Sequence, residues 1–85
     1  MFMRSPEVVA ASFDDKTFLL HVRNWVYLEL NQTALRVWEL LEDRHSTESL
    51  VEILRREFDV PADACAVDVA ELLTRLRTEE FVVSE

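Results

Sequence analysis

The hydrophobic pattern of the chain changes from a strand period to a helix period at Asn31. Immediately before it, residues 25–30 (WVYLEL) form the aromatic and aliphatic run that is typical of a β-strand. Immediately after it, Ala34, Trp38 and Leu41 recur at the spacing of a helical face, and asparagine is a favoured helix N-cap. A strand that runs directly into a helix requires a fold with both elements. We therefore predict an α+β domain.

The strand at residues 25–30 is predicted to be an open sheet edge. An exposed edge carries a row of unpaired backbone N–H and C=O groups, and proteins usually protect it with lysine, proline or a bulge. This run has only Glu29 for that purpose. We expect the strand to accept an additional strand, and the sequence leaves open whether two copies of the chain pair there.

Two further strands are predicted upstream, at residues 8–13 and 17–22, with turn residues 14–16 between them. Asn24 suits the left-handed backbone of a second tight turn. Three consecutive antiparallel strands most simply lie side by side in chain order. Pro6 is expected to protect the outer edge of the first strand, which leaves the third strand open.

The register of the third strand has two solutions, which differ by one residue in the preceding loop. In both, Val26, Leu28 and Leu30 share one face. A two-residue loop places them on the face of Leu19 and His21. A three-residue loop places them on the opposite face, and we favour it because it separates apolar from polar residues more cleanly. That face carries Phe18, Leu20 and Val22.

Three helices are predicted to follow the strands. The first extends to about Glu42, and the second is capped by Ser46 or Thr47 and ends near Phe58. The third begins around Pro61, since proline is favoured in the first turn of a helix. Its inward face is predicted to carry Cys65, Val69, Leu72, Leu73 and Leu76.

Composition restricts the class of protein and its partners. A chain of 85 residues with 49% hydrophobic and 31% charged residues suits one domain, residues 1–85. Its net charge of −8 repels phosphate backbones and anionic lipids, so we expect neither nucleic acid nor a membrane as partner. Cys65 is the single cysteine, and the first residues lack a signal-peptide core; we therefore expect a cytoplasmic protein.

Residues capable of chemistry do not form a recognisable reactive pattern in the sequence. Cys65 is expected on an inner helix face, His21 in a strand and His45 in a loop, far from catalytic or metal-ligand spacing. The chain has no nucleophile–base pair, phosphate-binding loop or metal cluster. We expect no catalytic residue, no cofactor and no metal.

Three strands followed by three helices, joined at Leu30-Asn31, resemble the PqqD-like family. Its fold is a winged helix-turn-helix variant, a three-stranded antiparallel sheet followed by three helices, known as the recognition element of ribosomally made, post-translationally modified peptides. The resemblance spans residues 8–83. It is carried by residues 27–31 (YLELN), 33–41 (TALRVWELL), 67–76 (VDVAELLTRL) and 81–82 (FV), the last within a stretch that fits a short strand or an extended tail. Where the family often has glycine, this chain has Asp15, Arg44 and Glu80.

The resemblance implies a non-enzymatic adaptor that binds the leader of a precursor peptide by β-strand addition and presents it to modifying enzymes. A free-standing chain of this length is most similar to the leader-binding proteins of lasso-peptide pathways. The implied partners are the precursor leader peptide, a separate cysteine leader peptidase of the transglutaminase-like type and a macrolactam-forming cyclase. A related family member acts in pyrroloquinoline quinone biosynthesis.

The implied leader site lies between the third strand and the third helix. Hydrogen bonds of about 0.5–1.5 kcal/mol each do not offset an association cost of about 4–15 kcal/mol, so buried apolar side chains must decide affinity. The apolar candidates are Val26, Leu28 and Leu30 of the strand and Val69, Leu72 and Leu76 of the helix. Candidates for the polar rim are Asp68, Arg75 and Glu29, and Tyr27 completes the pairing strand. The aliphatic candidates also suit a protein core, and this alternative stays open.

A DNA-binding regulator is the alternative that the helix-turn-helix topology offers. A helix that reads base edges carries arginine, lysine, asparagine or glutamine with basic flanks. The third helix instead begins with Asp63 in its first turn and carries Asp68 and Glu71. Its charge disfavours this function.

Overall fold

The computed structural model describes residues 1–84; Glu85, the last residue of the predicted domain, lies outside them. The α+β prediction is confirmed, with three helices as predicted and two strands beyond the predicted central three. In chain order the elements are β1 (Phe2–Arg4), β2 (Val8–Phe13), β3 (Lys16–His21), β4 (Val26–Leu30), α1 (Gln32–Leu40), α2 (Thr47–Phe58), α3 (Ala62–Thr78) and β5 (Val82–Ser84).

The predicted three-stranded antiparallel sheet is confirmed. Its strands lie in the order β2-β3-β4, so β4 is an open edge within residues 1–84, as expected. The expectation that Pro6 protects the opposite edge is wrong. Pro6 lies in a turn before β2 begins at Val8, and the outer side of β2 is also unpaired in the described part of the chain.

The favoured register of the third strand is wrong, and the other solution holds. His21 pairs with Val26 and Leu19 pairs with Leu28, across a four-residue loop that has the parity of the two-residue one. Val26, Leu28 and Leu30 therefore share the inner face with Leu19 and His21. Sorting residues by polarity gave the wrong register because His21, although polar, is fully buried. There the Asn24 N–H donates a hydrogen bond to its Nδ1 at 3.3 Å.

The outer face of the sheet is correspondingly apolar. Phe18, Leu20 and Val22 lie on it instead of on the inner face, and Tyr27 packs edge-on against Phe18 at a ring separation of 6.4 Å. Tyr27 is 71% exposed, so this pair is only partly shielded from water.

Left-handed backbone occurs in this chain without glycine. Asp14 and Asp15, in the β2–β3 turn, have φ of 51° and 63°, and Glu80 has φ of 64°. Asp15 and Glu80 stand where the family often has glycine, so these two turns keep a glycine-like shape. In the β3–β4 loop the left-handed residue is Trp25, with φ of 56°, and not Asn24 as predicted.

The chain termini form a small second sheet. β1 pairs antiparallel with β5, so of the two alternatives for residues 81–83 the short strand is the one that forms. β1 was not predicted, because a three-residue strand has too short a hydrophobic pattern to detect. Phe81, just before β5, is fully buried, and its C=O accepts a hydrogen bond from Ser5 N–H at 3.0 Å.

Helices α1 and α2 each begin at a residue whose side chain caps the helix. The Asn31 side chain accepts from Ala34 N–H at 2.8 Å, and the Ser46 side chain accepts from Ser49 N–H at 3.1 Å, so Ser46 is the cap of α2. Pro61 occupies the N-cap position of α3. Within residues 1–84, none of these helices combines the length and the apolar character needed to cross a lipid bilayer.

One hydrophobic core lies between the inner face of the sheet and the three helices. It joins side chains from β3, β4, all three helices and the segment at β5. Its fully or almost fully buried members are Leu19, Val37, Leu41, Leu50, Leu54, Val69, Leu76 and Phe81. The core holds β4 on its inner side, where Leu28 and Leu30 are buried, and leaves its edge free.

The β2–β3 turn generates a stability prediction. Positive φ at both Asp14 and Asp15 is the geometry of a type I′ turn, for which Asp-Gly is a favoured sequence. Asp15→Gly is expected to raise the free energy of unfolding by about 0.5–1 kcal/mol, because glycine adopts this backbone without a Cβ clash. Urea denaturation of the wild type, of Asp15→Gly and of the control Asp15→Ala measures it. A gain in the alanine control equal to that of glycine would contradict the backbone explanation.

Candidate peptide-binding edge and groove

The turn between β2 and β3 determines which opposite residues form hydrogen-bonded pairs, and so sets the phase of the ladder. Phe13 and Lys16 flank a two-residue turn and therefore form a hydrogen-bonded pair. At the other end of the same ladder, Val22 N–H donates to Glu7 C=O at 2.9 Å, which agrees with this phase. Hydrogen-bonded pairs alternate along an antiparallel ladder, so Phe18 and the other even-numbered residues of β3 direct their backbone groups to β2.

The same alternation decides which backbone groups of β4 are free. The odd-numbered residues of β3, such as Leu19 and His21, direct their N–H and C=O groups to β4, where their partners are Leu28 and Val26. The remaining backbone groups of β4 point away from the sheet. Tyr27 and Glu29 therefore present their N–H and C=O groups at the open edge, in the pattern that an added antiparallel strand requires.

A groove borders the downstream end of β4. It has a volume of about 440 Å³ and lies between the start of α1 and one face of α3. The α3 residues recur at three- and four-residue spacing, so they form one continuous stripe. The residues that line the groove are Asn31, Thr33, Ala34, Asp68, Glu71, Leu72 and Arg75.

A smaller pocket of about 140 Å³ adjoins the groove, with which it shares Thr33 and Asp68. It lies where α2 ends and α3 begins, and most of its lining is apolar. The lining residues are Thr33, Leu54, Phe58, Val60, Pro61, Ala64, Cys65, Asp68 and Val69. Most of these were not predicted as site residues. The available signal was the Val60-Pro61 break, which places the ends of two amphipathic helices side by side.

Cys65 forms part of the wall of this pocket. It is buried, and burial raises the pKa of its thiol, with the charge of Asp68 adding to the increase. Its Sγ lies 3.9 Å from the Val51 carbonyl oxygen. A neutral buried thiol is a poor nucleophile, so Cys65 contributes an apolar surface here.

The candidate residues occupy three different positions. Asp68, Leu72 and Arg75 lie together along the groove. Tyr27 and Glu29 lie on the outer face of the sheet, with their backbone groups at the edge. Val26 is half-buried on the inner face, and the other candidates lie in the core, with exposures of 7% or less: Leu28, Leu30, Val69 and Leu76. The groove is thus more polar than expected, and the apolar surface lies mainly in the adjoining pocket.

The upstream end of β4 is anchored by the C-terminal segment. The Glu80 carboxylate accepts hydrogen bonds from the Asn24 side-chain amide at 3.1 Å and from the Arg23 guanidinium at 3.2 Å. These groups lower the pKa of Glu80, Asn24 first. The anchor is therefore in place at neutral pH and weakens only as pH falls through that lowered pKa.

These elements define a winged helix-turn-helix variant in which the open edge of β4 lies beside a helix-lined groove. The family model described as "Coenzyme PQQ synthesis protein D (PqqD)" matches residues 16–82, from β3 to the first residue of β5. The chain therefore belongs to the PqqD-like family of recognition elements for ribosomally made, modified peptides, which confirms the resemblance.

Two solved structures are similar over almost the whole chain. One is "TbiB1 in Complex with the TbiA(beta) Leader Peptide", with 29% identity, a TM-score of 0.85 and coverage of 98% of this chain and 96% of that one. The other is "Lasso peptide synthetase B1 complexed with the leader peptide", with 30% identity, a TM-score of 0.83 and coverage of 98% of each chain. A search of curated proteins found no match.

Burial separates two site candidates that the sequence could not distinguish. Leu28→Asp is expected to lower the free energy of unfolding by more than about 3 kcal/mol, because Leu28 is 7% exposed and a core carboxylate adds desolvation to the lost packing. Leu72→Asp, on the half-buried groove wall, should lower it by about 1 kcal/mol or less. Chemical denaturation of both variants provides the comparison. Equal losses would show that Leu72 is a core residue.

Proposed function

We propose that this chain is a single-domain, non-enzymatic adaptor that binds the leader of a ribosomally made precursor peptide and presents it to processing enzymes. The observation that carries the proposal is the free backbone of Tyr27 and Glu29 at the edge of β4, next to a groove along α3. Two further facts support it. The chain belongs to the PqqD-like family, and the two similar structures are described as leader-peptide complexes.

The leader pairs antiparallel to β4. The N–H and C=O groups of Tyr27 and Glu29 offer about four hydrogen bonds to an added strand. At about 0.5–1.5 kcal/mol each, these bonds contribute roughly 2–6 kcal/mol, which offsets only the lower part of an association cost of about 4–15 kcal/mol. Leader side chains must supply the difference and, with it, the choice of sequence.

Leader side chains alternate between the two faces of the added strand. Those on the inner side enter the groove beside Leu72, and the chain can continue from there into the pocket at Ala64 and Cys65. One buried aliphatic or aromatic side chain contributes about 1.5–3 kcal/mol. Asp68 and Arg75 bind polar groups of the leader along the groove, where each offers a charge to the peptide.

The buried candidates act from behind the binding surface. Val69 and Leu76 fix the rotation of α3 against the core, and Leu28 and Leu30 hold β4 against it. Val26, half-buried at the start of β4, flanks the pairing edge. Together they keep the strand and the helix at the separation that a peptide needs.

Lasso-peptide biosynthesis is the pathway that we propose, because one of the two similar structures is described as a lasso peptide synthetase B1. The enzymes that receive the leader are then a separate cysteine leader peptidase of the transglutaminase-like type and a macrolactam cyclase. The adaptor works in the cytoplasm, where its one thiol, Cys65, stays reduced.

DNA binding is not favoured by the surface of α3. Its groove-facing stripe carries Asp68 and Glu71, and only Arg75 is basic there. With a net charge of −8 the chain repels a phosphate backbone, and no row of cations offsets this repulsion along that stripe.

Leader binding and its dependence on the β4 edge are tested by calorimetric titration with the precursor leader. The N–H of Tyr27 points away from β3, so Tyr27→Pro removes a donor from the open edge without breaking the β3–β4 ladder. We expect Tyr27→Pro to weaken leader binding at least about tenfold and to preserve the circular dichroism spectrum.

Tyr27→Ala is the matched control, since it keeps the backbone donor, and it should bind more tightly than Tyr27→Pro. If folded wild-type protein bound no leader up to about 50 μM, the adaptor function would be excluded. If it bound and Tyr27→Pro bound equally well, strand addition along β4 would be excluded.

Filling the apolar pocket tests its part in recognition. Ala64 lines the pocket and is itself exposed, so Ala64→Leu should fold normally while occupying space that a leader side chain needs. We expect leader affinity to fall about 10–100-fold, which corresponds to the loss of one buried apolar side chain. Ala62→Leu, an exposed position of the same helix outside the pocket, is the control and should leave affinity unchanged. Unchanged affinity in Ala64→Leu would show that the pocket stays empty.

A further inference from the structure

The outer strand β2 is a second open edge with properties unlike those of β4. Its residues 9–13 are exposed, and within residues 1–84 it pairs only with β3. Because hydrogen-bonded pairs alternate along the β2–β3 ladder, Ala10 and Ser12 direct their N–H and C=O groups away from the sheet. Val8 points the same way, but its N–H already lies 3.4 Å from the Ser5 carbonyl oxygen. Ala10 and Ser12 are therefore the free positions.

This edge lacks the usual protection against strand pairing. Its six residues, VVAASF, include no charge, no proline and no glycine, although the chain as a whole carries a net charge of −8. Charged residues and proline are what normally prevent an edge from pairing with another chain. Two copies of so acidic a chain repel each other. Because β2 has no charged residue, two copies can pair along it without placing carboxylates opposite each other.

We propose that β2 pairs with β2 of a second copy of this chain, antiparallel about a two-fold axis, to form a continuous six-stranded sheet. A two-fold axis must relate outward-facing residues to each other, and the register centred on Ala11 meets this condition by pairing Ala10 with Ser12 of the second copy.

The apolar outer face of β2 makes the contact specific. In the register centred on Ala11, Val9 lies opposite Phe13 of the second copy, twice by symmetry. Val9 is 49% exposed and Phe13 is 71% exposed in the single chain, so the pairing shields two of its exposed apolar side chains. The register centred on Ala10 instead places Val9 opposite Ala11, and Phe13 gains no apolar partner.

The dimer is weak and leaves the peptide-binding edge free. Edge pairing buries less than the roughly 1,200–2,000 Å² of stable complexes, so we expect a dissociation constant on the order of 100 μM. β4 lies on the far side of the sheet and stays open in both copies. Each copy carries a net charge of −8, so added salt should strengthen the dimer by screening the repulsion between the two copies.

Sedimentation equilibrium between about 10 μM and 1 mM tests the association. We expect the wild type to approach the dimer mass and Ala10→Pro to dissociate at least about tenfold more easily, because the change removes two symmetry-related hydrogen bonds. Tyr27→Pro makes the same change at the opposite edge and should dimerise like the wild type. A monomeric wild type throughout, or dissociation by Tyr27→Pro instead of Ala10→Pro, would overturn the proposal. Ser12→Pro repeats the test if Ala10→Pro is unfolded.

Disulfide trapping tests the register. Ala11 lies on the proposed axis opposite its own symmetry mate, with Cα atoms about 4.5 Å apart, within the range of a disulfide. Ala11→Cys should therefore form a covalent dimer on oxidation, whereas Ala10→Cys should not. Cys65 is buried and gives the same background in both variants. A covalent dimer from Ala10→Cys alone, or none from either variant, would overturn the Ala11 register.

Discussion

The structure depends on β4 being held firmly from one side only. Leu28 and Leu30 are buried against the helices, and the backbone of β4 is bonded to β3, so the strand is kept extended although no other strand among residues 1–84 pairs with its outer side. An isolated extended segment would lose much of its free energy of binding in becoming ordered. Here the core supplies that order in advance. Tyr27 and Glu29 thus present hydrogen-bonding groups at a fixed spacing that an added strand can match.

Chain order and elementary periodicity were sufficient to predict most of the fold. The apolar repeat after Asn31, the caps at Asn31 and Ser46 and the break at Pro61 all act within a few residues, so they are visible in the sequence. The register of β4 could not be predicted from the sequence, because it depends on contacts between distant parts of the chain. His21 lies in the core with a backbone N–H of the β3–β4 loop at its Nδ1, Glu7 Oε2 4.0 Å from its Nε2 and Phe81 edge-on against its ring at 6.2 Å. Polarity alone would place such a residue outside.

The candidate site was predicted in outline and not in detail. The strand and the helix that form it were identified, but an inward aliphatic residue looks the same in the sequence whether it faces the core or a groove. Val69 and Leu72 are three residues apart on one helix, yet Val69 is buried and Leu72 lines the groove. Which of the two residues faces the core depends on the rotation of α3 about its own axis, and packing against α2 sets that rotation. The apolar pocket escaped notice for a related reason, since residues such as Phe58 and Ala64 meet only when two helix ends are placed together.

The two open edges differ in what lies beside them, and this difference assigns their partners. β4 runs directly into α1 at Asn31, where the groove between α1 and α3 begins, so a single extended peptide can lie along its edge and continue into the groove. β2 instead lies between two turns, at residues 6–7 and 14–15, and leads into β3 and not into a helix. A second copy of the domain, which is too bulky for the groove, can therefore reach Ala10 and Ser12. Edge accessibility, more than strand sequence, decides which edge takes a peptide and which takes a folded partner.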